Sequence, residues 1–252
     1  DKRIEMIEQG TTYGELFLKG QNPEEILLTC YVCHPSMCND NLSGTCLLTH
    51  LSNAMSKMKL KYSYRFLFIP ETIGAIVWLS KNQNSLSNIK FGIVATCVGD
   101  PGPKTYKKSR RGNAEIDKAA ENILKSSKEN TIRDFWPSGS DERQFCSPGF
   151  NLPFGSLIRS VYGYFPEYHT SLDDLTFVQE EFLIDSFSSY ISIIFIIENN
   201  RKYLNLNPKC EPQLGKRGLY RLIGGQKNGG IDEIALFWVL NQSDGNTSLL
   251  DI

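Results

Sequence analysis

Histidine is scarce in this chain, with three residues among 252, at positions 34, 50 and 169. Any chemistry that needs imidazole must use one of them, so their placement is informative. A surplus of charge of either sign is also missing: 27 Lys and Arg face 28 Asp and Glu, a formal net charge of −1. That balance removes the electrostatic case for nucleic acid or an anionic membrane surface. Long apolar runs are absent. The longest, residues 191–197, is interrupted by Ser192 and is too short to span a bilayer. No internal repeat, low-complexity tract or secretory signal stands out. The cysteine count is odd, at positions 30, 33, 38, 46, 97, 146 and 210. Several fall inside apolar patterns, where a free thiol behaves as a small hydrophobe. Together these features read as free thiols in a reducing, cytoplasmic compartment. The start at Asp1 and the abrupt stop at Ile252 read as a piece cut at both ends.

What is present is a globular composition, 40% hydrophobic and 22% charged, on a chain long enough for one sizeable core and a small appendage. Residues 1–20 read as strand material with a turn after it. Apolar runs at 26–32, 64–69, 91–98 and 154–159 predict buried strands. Helix-period patterns cover 47–58, 73–79, 114–125 and 177–203. Strands alternating with helices predict an α/β sheet with helices on both faces. The basic stretch 104–113 reads as a solvated loop, with an acidic-ligand site as the alternative. Near residue 205 the pattern changes to glycine-rich turns and a short helical run at 231–240, which places a domain boundary there.

The sequence between the first buried strand and its helix carries the densest chemistry. It holds His34, Asp40 and the run Asn41-Leu42-Ser43-Gly44. Ligands of open α/β sheets sit outside the carboxyl ends of the strands. His34 and His169 both follow strands and lie in polar loops, whereas His50 lies off the apolar face of a helix. Imidazole with carboxylate suits zinc, and a catalytic site keeps one position open for water. Asp40 is a ligand candidate, although Asp40, Asn41 or Ser43 could equally cap the following helix. Glu71, after Pro70 at a strand end, is the candidate general base. Cys30 and Cys33 have C-x-x-C spacing, but they end a strand rather than open a helix. Cys33-His34 with Cys38 could imitate a structural zinc cluster, but no second ligand pair is spaced to complete it.

These residues resemble a known family. Asp40-Asn41-Leu42-Ser43-Gly44 is similar to the Asp-Asn-x-Ser-Gly motif of zinc aminopeptidases, in the clan of bacterial leucyl aminopeptidases, glutamate carboxypeptidase and glutaminyl cyclase. The closer resemblance is to a bacterial and archaeal branch that ends in a winged-helix domain. It rests on His34-Pro35-Ser36 ahead of residues 39–44, on Pro70 to Gly74, and on Glu167-Tyr168-His169-Thr170-Ser171. The resemblance implies a three-layer aminopeptidase-like (phosphorylase/hydrolase-like) mixed sheet over 1–205, truncated at its N-terminus, and part of a winged helix over 206–252. It also implies His34, Asp40 and His169 as ligands of Zn2+, Glu71 as base, Asp173 supporting the ligands, and Ser140-Asp141 near substrate. Two-zinc members carry a further Glu after the base and an Asp at the next strand end. Here Thr72 and Cys97 stand in those places. Two ions about 3.5–4 Å apart need several anionic oxygens, so one zinc is expected rather than two.

The expected function is zinc-dependent hydrolysis of a peptide or other small amide, of aminopeptidase type. Asp141, Glu167 and Asp173 are candidates to anchor a substrate amine. Arg159, Tyr164 and Tyr168 are candidates to meet a carboxylate or an oxyanion. The alternative is a non-catalytic or divergent amide-binding protein of the same fold, with a possible link to polysaccharide biosynthesis. In the tail, Lys209, Lys216, Arg217, Arg221 and Lys227 are matched by Glu211, Asp232, Glu233, Asp244 and Asp251. No basic face remains to track phosphates. A protein partner or a second copy of the chain is the expected contact there, rather than DNA.

Overall fold

The computed structural model describes residues 10, 12–219 and 232–252. The strand material expected before residue 10, Arg221 and Lys227 of the tail, and the turns at Gly224, Gly225, Gly229 and Gly230 lie outside them. The chain divides into two compact units, Asp1–Glu198 and Asn199–Ile252, whereas the sequence pattern places the change near 205.

The first unit is built on β2 (Glu25–Tyr31), whose seven residues are all buried. A strand with no polar face must be covered on both sides, and helices packed on the two faces of the sheet do this. Beside it run β3 (Ser63–Ile69) and β4 (Ile89–Ala95), and β7 (Phe154–Ile158) follows β4. These four strands are parallel. β1 (Gly14–Leu18) joins β3 antiparallel at one edge. At the other, β5 (Thr105–Lys107) runs antiparallel to β7 and parallel to β6 (Thr131–Arg133). The order of this seven-stranded mixed sheet is β1-β3-β2-β4-β7-β5-β6.

Alternation along the strands sends side chains to two faces. Leu27, Leu67, Ile69, Val94 and Phe154 share one core with Trp78 and Leu79 of α2 (Ile73–Lys81) and Phe145 of α4 (Glu142–Phe145). On the opposite face, Cys30 meets Thr45 of α1 (Ser43–Met55), and Tyr106 meets Asp117 of α3 (Glu115–Leu124). Tyr64 on that face donates to Glu198 of α5 (Glu180–Asn199) at 2.8 Å. Glu198 also accepts the N–H groups of Lys61 and Tyr62, which fixes the end of α5 to the start of β3. Each large apolar side chain removed from water in these layers contributes about 1.5–3 kcal/mol.

Several local expectations change. The predicted helix over 177–203 is shorter because its last residues leave to form β8 (Lys202–Leu204). The elements β5, β6 and α4 are three or four residues long, too short to show a period. The basic stretch 104–113 is not a solvated loop. Lys107 is buried and pairs with the buried Glu142 at 2.6 Å, Lys104 pairs with Asp185 at 2.6 Å, and Lys108 pairs with Glu121.

In the second unit, β8 pairs antiparallel with β9 (Asp244–Ser248), and α6 (Glu233–Gln242) precedes β9. Asp232 caps α6, its Oδ1 accepting the N–H groups of Ile234 and Ala235. No helix among the described residues is long and apolar enough to cross a membrane.

The path of the chain locates the site. From β2 it crosses through α1 to β3 on one side, then returns through α2 to β4 on the other. The winding reverses at β2, and the carboxyl ends of strands at such a reversal are where α/β sheets leave a crevice.

Candidate functional site

The segment after β2 turns widely over Cys38–Leu42 before α1 starts at Ser43. Its polar side chains are spent on holding that turn. Asp173 accepts the backbone N–H groups of Cys38, Asn39 and Asp40 at 3.1, 2.5 and 3.0 Å. Asn39 accepts from Gly99 N–H and donates to Asp100, each at 2.9 Å. Asn41 donates to the Ala95 carbonyl at 2.8 Å and accepts from Gly44 N–H at 3.1 Å. Ser43 donates to the Asn39 carbonyl and accepts from Val98 N–H. The peptide between Asp40 and Asn41 is cis. So Asn41, not Asp40, serves the start of the helix, and Asp40 is left for another role.

Asp40 is fully buried. Its Oδ1 accepts a hydrogen bond from the Tyr31 hydroxyl, while its Oδ2 accepts none from the protein. His169 Nε2 lies 2.8 Å from that Oδ2 without the alignment of a hydrogen bond. The His34 and His169 rings are 5.0 Å apart, and Tyr168 stacks on His169 with centroids 3.9 Å apart. One ligand atom each from His34, Asp40 and His169 lies within 4.8 Å of the other two. A buried carboxylate oxygen without a donor costs about 1–3 kcal/mol. A cation shared with two imidazoles offsets that cost, and this donor set fits zinc with a position to spare.

Glu71 follows β3 and is half-buried. Burial raises its carboxyl above the usual range and the charge of Asp40 adds to this, while His34 pulls the other way. The next residue, Thr72, has φ 60° and ψ −66° and sits at the centre of a γ-turn in which Ile73 N–H donates to the Glu71 carbonyl at 2.6 Å. Such a turn is rare and strained, and a residue in a sparsely populated conformation costs about 1–3 kcal/mol. Two side chains hold it: Asp141 Oδ1 accepts Thr72 N–H at 2.6 Å, and Arg143 donates to Thr72 Oγ1 at 3.1 Å. Asp141 is fully buried, and burial pushes its carboxyl up to about 7. His169 and Cys97, with φ 56° and 48°, are further non-glycine residues of positive φ around the site.

The remaining expected residues divide. Asp173 grips the backbone of the turn, the N–H of Asp40 included, rather than the Asp40 carboxylate or the His169 ring. Asp141 is buried under Thr72 and does not face outward to meet an amine. Arg159 departs from the expectation of a carboxylate or oxyanion contact: its guanidinium is paired with Asp185 at 2.6 Å and donates to the Gly102 and Phe182 carbonyls. Tyr164 is 81% exposed, with the Arg133 guanidinium over its ring. The carbonyl of Glu167 closes the turn that carries His169 by accepting from Thr170. Cys97 is a buried thiol, its pKa raised first by burial and then by Asp40.

Two participants carry more than their sequence reading assigns: Asp100 reads there only as part of a turn, and Cys33 only as a cysteine of a cluster that is not completed. Asp100 is buried and occupied by Asn39, Gly102 and Ser160. Cys33 lies beside Glu71, whose N–H donates to its sulfur at 3.3 Å. The strand register carries the signal for that second pairing: Tyr31 is opposite Ile69, so the same offset sets residue 33 against residue 71.

Residues 3–200 match the family model described as a domain of unknown function, DUF4910. The chain belongs to that family. Residues 201–252 match a winged helix-turn-helix family model. A Clostridium acetobutylicum protein, provisionally described as a polysaccharide biosynthesis protein with an aminopeptidase-like domain, is 61% identical over 248 residues. That match covers 98% of this chain and 57% of the relative, so the chain spans little more than half of its length. A crystal structure from the same organism, provisionally described as a peptidase, is 59% identical with a TM-score of 0.87, over 95% of this chain and 54% of that one. The zinc aminopeptidase BSAP from Bacillus subtilis shares the fold at 15% identity and a TM-score of 0.62, over 73% of this chain and 49% of that one. This DUF4910 domain therefore has the zinc-aminopeptidase fold.

Proposed function

We propose that the DUF4910 domain is a single-zinc hydrolase of peptide or related amide bonds. The observation that carries this reading is the meeting of His34, Asp40 and His169 beside the raised carboxyl of Glu71, at the carboxyl ends of β2 and β3. When bound there, zinc supplies a Lewis acid and a water of lowered pKa.

The protein's own groups do the rest. His34 and His169 donate nitrogen lone pairs, and Asp40 donates its unpaired Oδ2. Asp173 and Asn39 hold the turn that presents Asp40, as partners behind metal ligands commonly do. Glu71 takes a proton from the attacking water as the oxygen–carbon bond forms. It then returns that proton to the amide nitrogen as the carbon–nitrogen bond breaks. Tyr168 fixes the plane of the His169 ring by stacking. One ion suffices because Asp40 supplies the single carboxylate of the set, while Thr72 accepts from Arg143 and Cys97 is a neutral thiol.

The presence of Glu71 beside the ligand set favours catalysis over mere binding, since a binding protein gains nothing from a proton carrier. The name of the Clostridium relative brings amides carried on sugars into the substrate range beside peptides. Seven free thiols fit action in the reducing cytoplasm. The balanced tail fits a protein partner or a second copy of the chain better than nucleic acid.

Purified protein should contain about one zinc per chain by plasma emission. His34→Ala and His169→Ala should each lose it. Glu71→Gln should keep it and lose at least about a hundredfold of the hydrolysis of aminoacyl anilides or N-acyl amino sugars. Zinc retained in both histidine variants would remove the ligand assignment.

A further inference from the structure

His34 belongs to a second group of ligands that the proposed reaction does not use. Cys33, His34 and Glu71 each bring a ligand atom within 4.8 Å of the other two. Cys33 Sγ is 3.9 Å from His34 Nδ1 and accepts Glu71 N–H at 3.3 Å. A tetrahedral zinc ion holds its sulfur and nitrogen ligands about 3.5 Å apart, so the sulfur and imidazole need only a small shift to share an ion. Cys33 is exposed, and a hollow of about 360 Å³ lined by Tyr31, Cys33, His34, Cys38 and Thr45 opens beside it. An ion can therefore enter without disturbing the core.

We infer that Cys33, His34 and Glu71 form a second metal site, for a thiophilic divalent ion, that overlaps the general base. The donor set is sulfur, nitrogen and carboxylate oxygen. The sulfur biases it toward soft or borderline ions such as Cd2+ and Zn2+ over Mg2+ or Ca2+. It differs from the first set by exchanging Asp40 and His169 for Cys33 and Glu71. Imidazole has two ring nitrogens, one of them protonated in the neutral ring, so His34 serves both ions at once only as an imidazolate that has released its ring proton to solvent. Filling the second site occupies the Glu71 carboxylate and blocks proton transfer. Excess zinc would thus inhibit the enzyme through Cys33, and the site acts as a metal-sensing brake. This inference shares His34 with the proposed catalytic site but does not need zinc to be bound there.

The test adds Cd2+ to the one-zinc protein and follows the near-ultraviolet thiolate-to-metal charge-transfer band. One equivalent of Cd2+ should produce the band. Cys33→Ser should abolish it and weaken that binding more than about tenfold, because even the outer partners of ligands are worth 10–100-fold, while the first zinc stays. Cys210→Ser, at the other exposed cysteine, should leave the band intact. Asp40→Asn should lose the first zinc yet keep the band. A band that survives Cys33→Ser, or that vanishes with Cys210→Ser, overturns the second site. Zinc retained in Asp40→Asn with a Cys33-dependent band overturns the catalytic ligand set alone. Where hydrolysis is measurable, Cys33→Ser should also resist inhibition by excess zinc.

Discussion

Asp141 buries a carboxyl completely in order to hold one backbone N–H. Its Oδ1 receives Thr72 N–H, its Oδ2 receives nothing, and burial with the charge of Glu71 nearby lifts its pKa to about 7. The linkage follows from the sign of the shift. In the unfolded chain the group ionises near 3.9; in the fold it keeps its proton to about 7. Its contribution is neutral at about pH 4, and the protein loses stability as pH rises through that window, because the unfolded state has released a proton that the folded state still holds. Asp141→Asn preserves an acceptor for Thr72 and removes the penalty. Its melting temperature should match the wild type near pH 4 and exceed it increasingly up to pH 7. A gap that narrows as pH rises would contradict this account of the site. The residue type at 141 was legible as part of a Ser-Asp pair, but its task was not, since facing a substrate and facing a backbone amide look alike in sequence.

At the scale of elements, the start of α1 against β4 decides whether the ligand turn keeps its shape. A Cβ on Gly44 would sit 2.4 Å from Asn41 Oδ1 and 2.5 Å from the Ala95 carbonyl. Both atoms belong to the contacts that fix the turn, and the carbonyl is strand backbone that cannot step aside. Gly44→Ala should therefore displace the helix from the sheet. Overpacking of this kind costs about 1–3 kcal/mol, which denaturant titration would read, and zinc content should fall with it. Unchanged zinc and stability would show that the turn tolerates movement. The long strands and helices were legible because burial on one or both faces writes a period into them. The short β5, β6 and α4 were not, since a segment of three or four residues is fixed by its neighbours. The pairing of Lys107 with Glu142 was hidden for the same reason: a lysine that closes a buried pair and one that faces water have the same letter.

At the scale of the molecule, every residue of both ligand sets lies in the unit that ends at Glu198. A chain shortened after residue 199 should therefore retain about one zinc. Loss of the metal from a shortened chain that remains folded by circular dichroism would give the second unit a part in the site. Glu198 supports the cut at that point, because it ties the last turn of α5 to Lys61, Tyr62 and Tyr64 within the first unit. The change of pattern near 205 was visible in the sequence, but the place where packing ends was not, since the polar residues after Asn199 carry no period.

The sequence alone determined the alternation of strands and helices, and it singled out His34, Asp40, Glu71 and His169 as the candidates for the proposed chemistry. Apolar periodicity reports burial directly, and rare imidazoles at strand ends leave few other readings. Only the tertiary structure decided who meets whom. It set Asp173 behind the turn, turned Arg159 to Asp185, buried Asp141 beneath Thr72 and brought Cys33 to Glu71. Those partners are separated by 26 to 135 positions along the chain, and contacts at that range are fixed by the winding of the sheet rather than by any local pattern.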